Sequence, residues 1–116
     1  MNLIDDRDSG IYDRPIVNVM KVKIDPKEAP SLLAKTLDAL AAVQSENLPG
    51  FLTAQVLLSV DNKTIVVLGE WTDRHAWGKS RYDPVVESLV KDCYDKAAAI
   101  EFDVYTRRGE IPRRQA

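Results

Sequence analysis

The feature that most constrains the fold is a hairpin of two apolar segments, residues 51–60 and 64–71, joined by Asp61-Asn62-Lys63. A short polar linker of this kind predicts a tight turn, and Asn62 tolerates the positive φ that such turns need. Pro49-Gly50 precedes the first segment and predicts a second turn there. The hairpin therefore predicts two antiparallel neighbours in a β-sheet.

The segments around the hairpin alternate between extended and helical patterns. Residues 15–24 predict a strand that stops before Asp25-Pro26, because proline cannot donate to a sheet ladder. Residues 27–44 have helical spacing, with a predicted apolar stripe of Leu33, Leu37, Leu40 and Ala41. Residues 100–105 predict the last strand. The chain thus begins and ends its structured part with a strand.

Two helix starts are predicted after the hairpin. Thr72 or Asp73 caps a short helix that carries His75 and Trp77. Asp83-Pro84 supplies an N-cap and a first helical residue for a longer helix to about residue 96. The order is β-α-β-β-α-β with the second helix broken in two.

This order predicts an α+β fold, a ferredoxin-like protomer with a four-stranded antiparallel sheet. Because crossovers are right-handed, the gap in the split β-α-β motif is filled by the third strand, which pairs with the first at the centre. The helices then cover one face of the sheet. The prediction for the chain is a flexible arm at residues 1–14, one domain at 15–112, and a basic tail at 113–116.

The predicted strands are apolar on both faces, as Val66 and Val67 or Val56 and Leu57 illustrate. An antiparallel sheet with one wet face should alternate instead. Too few helices are predicted to cover the second face, and soluble monomers rarely expose an apolar patch of that size. We therefore expect a homodimer in which two sheets pack face to face.

Composition limits the possible partners and compartment. The net charge is −2 and no basic stripe with interleaved aromatic residues occurs, so nucleic-acid binding is not expected. No run of eighteen apolar residues occurs, so no membrane span is expected. One cysteine, Cys93, and no secretion signal predict a cytoplasmic protein. One histidine and one cysteine cannot supply a metal site, so none is predicted.

Two polar side chains stand out in the otherwise aliphatic strands, Asn18 in the first and Trp71 at the end of the third. An unpaired buried amide costs about 1–3 kcal/mol. Asn18 therefore has either a structural partner, such as a helix end or a buried water, or a functional role. Trp71 is either core filling or part of a site. The pair is the first candidate for function.

The residues that carry these features resemble the antibiotic biosynthesis monooxygenase family, whose members are dimeric α+β barrels. The matching segments are Val17-Asn18-Val19, Leu48-Pro49-Gly50-Phe51-Leu52, Glu70-Trp71-Thr72-Asp73 and the Asp83-Pro84 helix start. The resemblance covers residues 15–112. The closing segment, 106–112, is similar to the tail of the family's aromatic-polyketide, quinone-forming branch.

The resemblance implies catalytic roles for Asn18 and Trp71 in a cofactor-independent oxidation by O₂. In that branch an anthrone-like polycyclic phenol is its own reductant, and no metal, flavin or haem takes part. An amide can stabilise the developing oxyanion, and an indole N–H can do likewise while its ring stacks on a flat substrate. The expected partners are thus a small aromatic or polyketide substrate and O₂.

The sequence also departs from the family pattern near Trp71. A second asparagine expected four residues earlier is Val67, and an aromatic residue six residues later is Trp77 rather than tyrosine. The haem-degrading branch has a histidine ligand where Arg81 stands. The predicted substrate-binding residues are Trp77, Arg81, Tyr82, His75 and Val67. Arg81 and Tyr82 could bind a substrate carboxylate or phenol, and His75 could transfer a proton.

Three functions remain open at this point. The first is a cofactor-independent monooxygenase that acts on a polycyclic aromatic phenol. The second is a non-oxidative polyketide cyclase or isomerase, motivated by Val67 in place of the second asparagine. The third is a non-catalytic ligand-binding protein, motivated by the absence of a paired acid and base.

Overall fold

The computed structural model describes residues 14–114, and most of the predicted arm at 1–14 and the last two tail residues lie outside that range. The elements, listed in chain order, are β1 (Ile16–Lys23), α1 (Ala29–Glu46), β2 (Phe51–Leu58), β3 (Thr64–Trp71), α2 (Arg74–Ser80), α3 (Pro84–Lys96) and β4 (Ala99–Thr106). The predicted β-α-β-β-α-β order, with its broken second helix, is confirmed. The second strand is two residues shorter than predicted.

The four strands form one antiparallel sheet in the order β2-β3-β1-β4. The predicted central pairing of the first and third strands is therefore confirmed. Asn18 lies opposite Gly69 on β3 and Val104 on β4, and Ile16 lies opposite Trp71. This register places Asn18 and Trp71 two residues apart along the ladder, on the same face of the sheet.

The helix starts follow the local capping chemistry that the sequence indicates. Asp73, rather than Thr72, caps α2, and its Oδ1 accepts a hydrogen bond from the Ala76 N–H at 2.8 Å. Asp83 Oδ2 accepts bonds from two backbone N–H groups of the first turn of α3, at 3.0 and 3.3 Å. The two caps therefore determine the residues at which α2 and α3 begin.

The turn at Pro49-Gly50 is locked against the start of α2. Gly50 has φ 82°, and a Cβ built on it would lie 2.3 Å from Ala76 Cβ and 2.7 Å from Thr72 Oγ1. The Thr72 N–H donates to the Gly50 carbonyl at 2.8 Å. Glycine is therefore required at this position for both its conformation and its size, and the turn sets the position of α2 next to Trp71.

The hydrophobic core lies between one face of the sheet and the helices. Its members from β1 and β3 include Met20, Val22, Ile65 and Val67, and the helices contribute Leu32, Leu89 and Cys93. The core residues of β1 and of β3 occupy every second position of their strand, as expected for a sheet with one face buried in the core.

The predicted apolar stripe of α1 was partly wrong. Leu37 is 52% exposed and Ala41 is exposed, whereas Leu32, Thr36 and Val43 are buried. Thr36 is accommodated in the core because its hydroxyl donates to the Leu32 carbonyl at 2.8 Å. The buried side of α1 therefore runs through Leu32, Thr36 and Val43 rather than through Leu37 and Ala41.

The other face of the sheet carries a second set of apolar side chains. From the register and the alternation of side chains, this outer face includes Val17, Val19, Leu57, Val66, Leu68 and Tyr105. Leu57 and Tyr105 are 50% and 53% exposed. The helices pack on the opposite face, so the two-sided apolar character expected from the sequence is present.

Within residues 14–114, none of the helices combines the length and apolar character that a membrane crossing requires.

Candidate active site

Asn18 and Trp71 are in direct contact. The indole Nε1–H of Trp71 donates a hydrogen bond to Asn18 Oδ1, with 3.0 Å between the heavy atoms. The side chains come from the adjacent strands β1 and β3, on the helix-facing side of the sheet. The structure thus brings together the two residues that the sequence singles out.

This contact determines the orientation of the amide. An indole N–H can only donate, so the atom of Asn18 that faces it must be the carbonyl oxygen. The Nδ2 group then points away from the indole and makes no hydrogen bond to another side chain or backbone group of residues 14–114. Trp71 therefore positions the amide. Asn18 occupies the indole N–H in this arrangement, and a contact of that N–H with a substrate oxygen stays a prediction.

Gly69 makes room for this hydrogen bond, and the sequence interpretation missed it. A Cβ on Gly69 would lie 2.4 Å from Asn18 Oδ1 and 3.1 Å from Trp71 Nε1. Glycine inside a strand signals a close approach of another group. That signal was available in the apolar run of β3 and points directly at the Asn18–Trp71 contact.

Trp71 is fixed on its other side by Phe51, the first residue of β2. The two rings meet edge to face, with centroids 5.3 Å apart and planes inclined by 69°. Trp71 is 5% exposed. The indole is therefore contacted by Asn18 through its N–H and by Phe51 through its ring.

The Asn18–Trp71 pair lies in the wall of a cavity between the sheet and the helices. The cavity has a volume of about 80 Å³. Val67 and Gly69 line it from β3, α1 contributes Leu40 and Val43, and α3 contributes apolar residues including Leu89. The lining is apolar except near Asn18 and at the end formed by α2, so an introduced polar group would find few partners other than these.

Arg81 closes one end of this cavity together with two aromatic rings. Its guanidinium carbon lies 5.8 Å from the centroid of Trp77 in α2 and 5.9 Å from that of Phe102 in β4. All three residues line the cavity. Phe102 was not among the predicted site residues, because only the pairing of β4 with β1 brings it opposite Met20.

His75 and Tyr82 lie elsewhere. They line a separate open depression of about 570 Å³ beside the turn at Pro49-Gly50. Tyr82 is 85% exposed. Trp71 and Ser80 line both this depression and the cavity. Of the predicted substrate-binding residues, Trp77, Arg81 and Val67 thus share the cavity with Asn18, and His75 and Tyr82 do not.

The described residues that line the cavity include no histidine, aspartate or glutamate. None of them can therefore act as a general base. Cys93 is buried in the core, and burial, with the nearby Asp92 charge, raises the pKa of its thiol to about 11. It is therefore protonated at neutral pH and serves as a packing group. Residues 14–114 hold no group of three side chains suited to bind a metal ion.

A four-stranded sheet with helices on one face and an amide-bearing cavity beneath them defines a small ferredoxin-like α+β domain. The model of the antibiotic biosynthesis monooxygenase family matches residues 15–91, about two thirds of the chain. The chain belongs to this family. No curated protein sequence matches it.

Solved structures show the same fold at low sequence identity. SnoaB from Streptomyces nogalater, described as a cofactor-independent oxygenase, is 21% identical, with a TM-score of 0.68 over 86% of this chain and 99% of that one. Rv0793 from Mycobacterium tuberculosis is 14% identical, with a TM-score of 0.73 over 84% and 99% of the two chains. A conserved protein from Methanosarcina mazei is 12% identical, with a TM-score of 0.72 over 83% and 95%. These similarities confirm the ferredoxin-like α+β fold.

Proposed function

We propose that this protein is a cofactor-independent monooxygenase that oxidises a polycyclic aromatic phenol, such as an anthrone-like polyketide, with O₂. The observation that carries the proposal is the Asn18 amide, oriented by Trp71 so that its Nδ2 group is free in an apolar cavity. The family match and the similarity to SnoaB, described as a cofactor-independent oxygenase, support the same chemistry.

The proposed reaction places one oxygen atom on the substrate and reduces the other to water. The substrate loses a proton to water and becomes a resonance-stabilised anion. This anion passes one electron to O₂, and the resulting radical and superoxide combine to a peroxide anion. The peroxide anion takes back a proton from water to give the hydroperoxide. Loss of water from the hydroperoxide leaves the quinone, so a CH₂ group and O₂ become C=O and H₂O.

Asn18 assists the first step of the proposed reaction, the loss of a proton from the substrate. Its Nδ2–H donates to the substrate oxygen on which negative charge develops, and a donor fixed in an apolar site stabilises such charge more than water does. Trp71 is a positioning residue, since its N–H holds the amide in the productive orientation. The apolar lining, which includes Val67, keeps bulk water away from the anion after the proton has left with a water molecule.

The test is O₂ uptake by metal-free protein supplied with anthrone, corrected for the uncatalysed rate. We expect uptake with the wild type and a loss of about 10²-fold in kcat for Asn18→Ala, as for other oxyanion donors. Gln44→Ala, which removes an exposed amide from α1, is the matched control and should leave kcat unchanged. Wild-type protein that does not exceed the uncatalysed rate would overturn the proposal.

A second candidate is a non-oxidative cyclase or isomerase on the same cavity. The observation that favours it is Val67, which is buried and lines the cavity where the family pattern expects a second amide. Fewer polar groups are then available to bind a peroxide. Turnover of a polyketide substrate that is unchanged under strict anaerobiosis would support this candidate and refute the oxygenase.

We also propose that the protein is a homodimer formed through the outer face of the sheet. The support is the exposed apolar set on that face, which no helix of the described chain covers. Leu57→Lys should convert a dimer to a monomer in light scattering at micromolar concentration. Leu37→Lys changes an equally exposed leucine on α1 and should not. A monomeric wild type would refute the dimer.

A further inference from the structure

Arg81 stands at the end of the cavity without an acidic partner. It is the C-cap residue of α2, and its guanidinium faces Trp77 on the same helix and Phe102 on β4. It forms no salt bridge with any residue in the range 14–114, where the ion pairs are Lys96–Glu28 and Arg107–Glu70. Within the described residues, the guanidinium therefore faces two aromatic rings and no carboxylate.

The guanidinium lies within 6 Å of both ring centroids, at the lip of an apolar space. Aromatic faces attract a guanidinium without using its N–H groups, because the interaction is with the plane of the cation. The N–H fork thus remains available to an acceptor. A carboxylate is the acceptor that matches this fork best, since it takes two parallel charge-assisted bonds.

The size of the cavity indicates that a ligand must disturb this arrangement. Its volume is about 80 Å³, whereas an apolar cavity that holds a single benzene ring measures roughly 150 Å³. Any fused aromatic ligand must displace side chains. Arg81 and Phe102 are exposed and Trp77 is half-buried, so this end opens more easily than the core-lined walls.

We propose that Arg81 is a specificity-determining residue that selects flat aromatic ligands bearing a carboxylate at one edge. This proposal rests on the proposed function in one respect, the assumption that the cavity binds an aromatic ligand. Entry of the ligand separates Arg81 from one or both rings, and the ligand's carboxylate replaces these contacts with a bidentate ion pair. A neutral ligand also separates Arg81 from the rings of Trp77 and Phe102, but it offers the guanidinium no ion pair in their place.

The test compares two probes that differ in charge and hardly in shape, anthraquinone-2-carboxylate and 2-(hydroxymethyl)anthraquinone. Both probes are quinones and so are already oxidised. Their dissociation constants can therefore be measured by tryptophan fluorescence or calorimetry, without O₂ and without turnover. The wild type should bind the carboxylate about tenfold more tightly than the alcohol, the size expected for a partly solvated charge-assisted pair.

Variants separate the guanidinium from other sources of preference. Arg81→Gln should bind both probes with equal affinity, and Arg81→Lys should keep part of the preference because it retains the charge and loses the fork. Arg74→Gln removes an exposed arginine from the first position of the same helix and should keep the full preference. Circular dichroism establishes that each variant is folded.

Each outcome decides the proposal. A wild type that binds both probes equally, or a preference that survives in Arg81→Gln, overturns the assignment of Arg81 and leaves the oxygenase proposal intact. A preference that depends on Arg81 in a protein with no O₂ uptake supports the assignment and overturns the oxygenase. A wild type that binds neither probe overturns Arg81 selection and the aromatic cavity together.

Discussion

Replacement of Gly69 by alanine tests whether the Asn18–Trp71 hydrogen bond depends on an empty space in β3. The new Cβ would lie 2.4 Å from Asn18 Oδ1 and 3.1 Å from Trp71 Nε1. Non-bonded atoms prefer about 3.5–4.0 Å, so the Asn18 oxygen must retreat by about 1 Å. The 3.0 Å bond to the indole then breaks, and the amide loses its orientation.

The expected cost follows from three terms. Loss of the hydrogen bond contributes about 1 kcal/mol, and overpacking a well-packed site costs about 1–3 kcal/mol. The smaller entropy of the unfolded chain returns about 0.4–1 kcal/mol. The net loss of unfolding free energy is about 2 kcal/mol, well within the typical stability of about 5–15 kcal/mol. With roughly 2.1 cal/mol/K of unfolding entropy per residue over 116 residues, Tm falls by about 8 °C.

The assay is the indole N–H resonance of Trp71 in a ¹⁵N–¹H spectrum, assigned with Trp71→Phe, together with thermal unfolding. The wild-type resonance should be protected from exchange, and Gly69→Ala should lose that protection. Gly78→Ala is the matched control, because a Cβ there meets nothing within 4 Å and alanine favours the helix. A protected indole and an unchanged Tm in Gly69→Ala would refute the reasoning.

Two further predictions concern ionisable groups. The neighbouring Asp83 carboxyl raises the pKa of the Glu46 carboxyl, first by side-chain hydrogen bonding that favours the protonated form, then by partial desolvation and by the Asp83 charge. Stability should therefore fall as pH rises through this pKa, and Glu46→Gln, which keeps a donor, should raise Tm more at pH 7 than at pH 4. Cys93 is 1% exposed, so a thiol reagent reaches it only when the protein opens. Its pKa is also raised to about 11, which lowers the thiolate fraction at pH 8. Labelling at pH 8 should therefore be no faster than unfolding, and rapid labelling of folded protein would contradict this.

The parts of the fold that were predictable from the sequence are those set by local chemistry. Asp83-Pro84 marks the start of α3 because both effects are local. The Asp83 carboxylate accepts bonds from N–H groups two and three residues later, and proline suits the first turn of a helix. Asn62 has φ 62° in the hairpin turn for an equally local reason. The central pairing of β1 and β3 followed from chain connectivity, which restricts a split motif to few arrangements.

The features that were missed depend on contacts between distant segments. Leu37 and Leu32 are equally apolar, and only the packing of α1 on the sheet decides which is buried. Phe102 reaches the cavity through the register of β4 against β1, which no short motif encodes. Gly69 was visible as a glycine in a strand, but its role required the position of the Asn18 side chain across the ladder.

The geometry of the cavity narrows the chemistry that the domain can support. The indole N–H of Trp71 and the hydroxyl of Ser80 already donate to Asn18 Oδ1 and to a backbone carbonyl. Among the cavity-lining side chains of residues 14–114, the polar groups left to meet a ligand are the Asn18 amide N–H and the Arg81 guanidinium, both donors. A site whose free groups are donors favours an anion and offers no base to take a proton. Under the proposed function, the substrate is an anthrone-like phenol that loses its proton to water, and the two donors stabilise its anion.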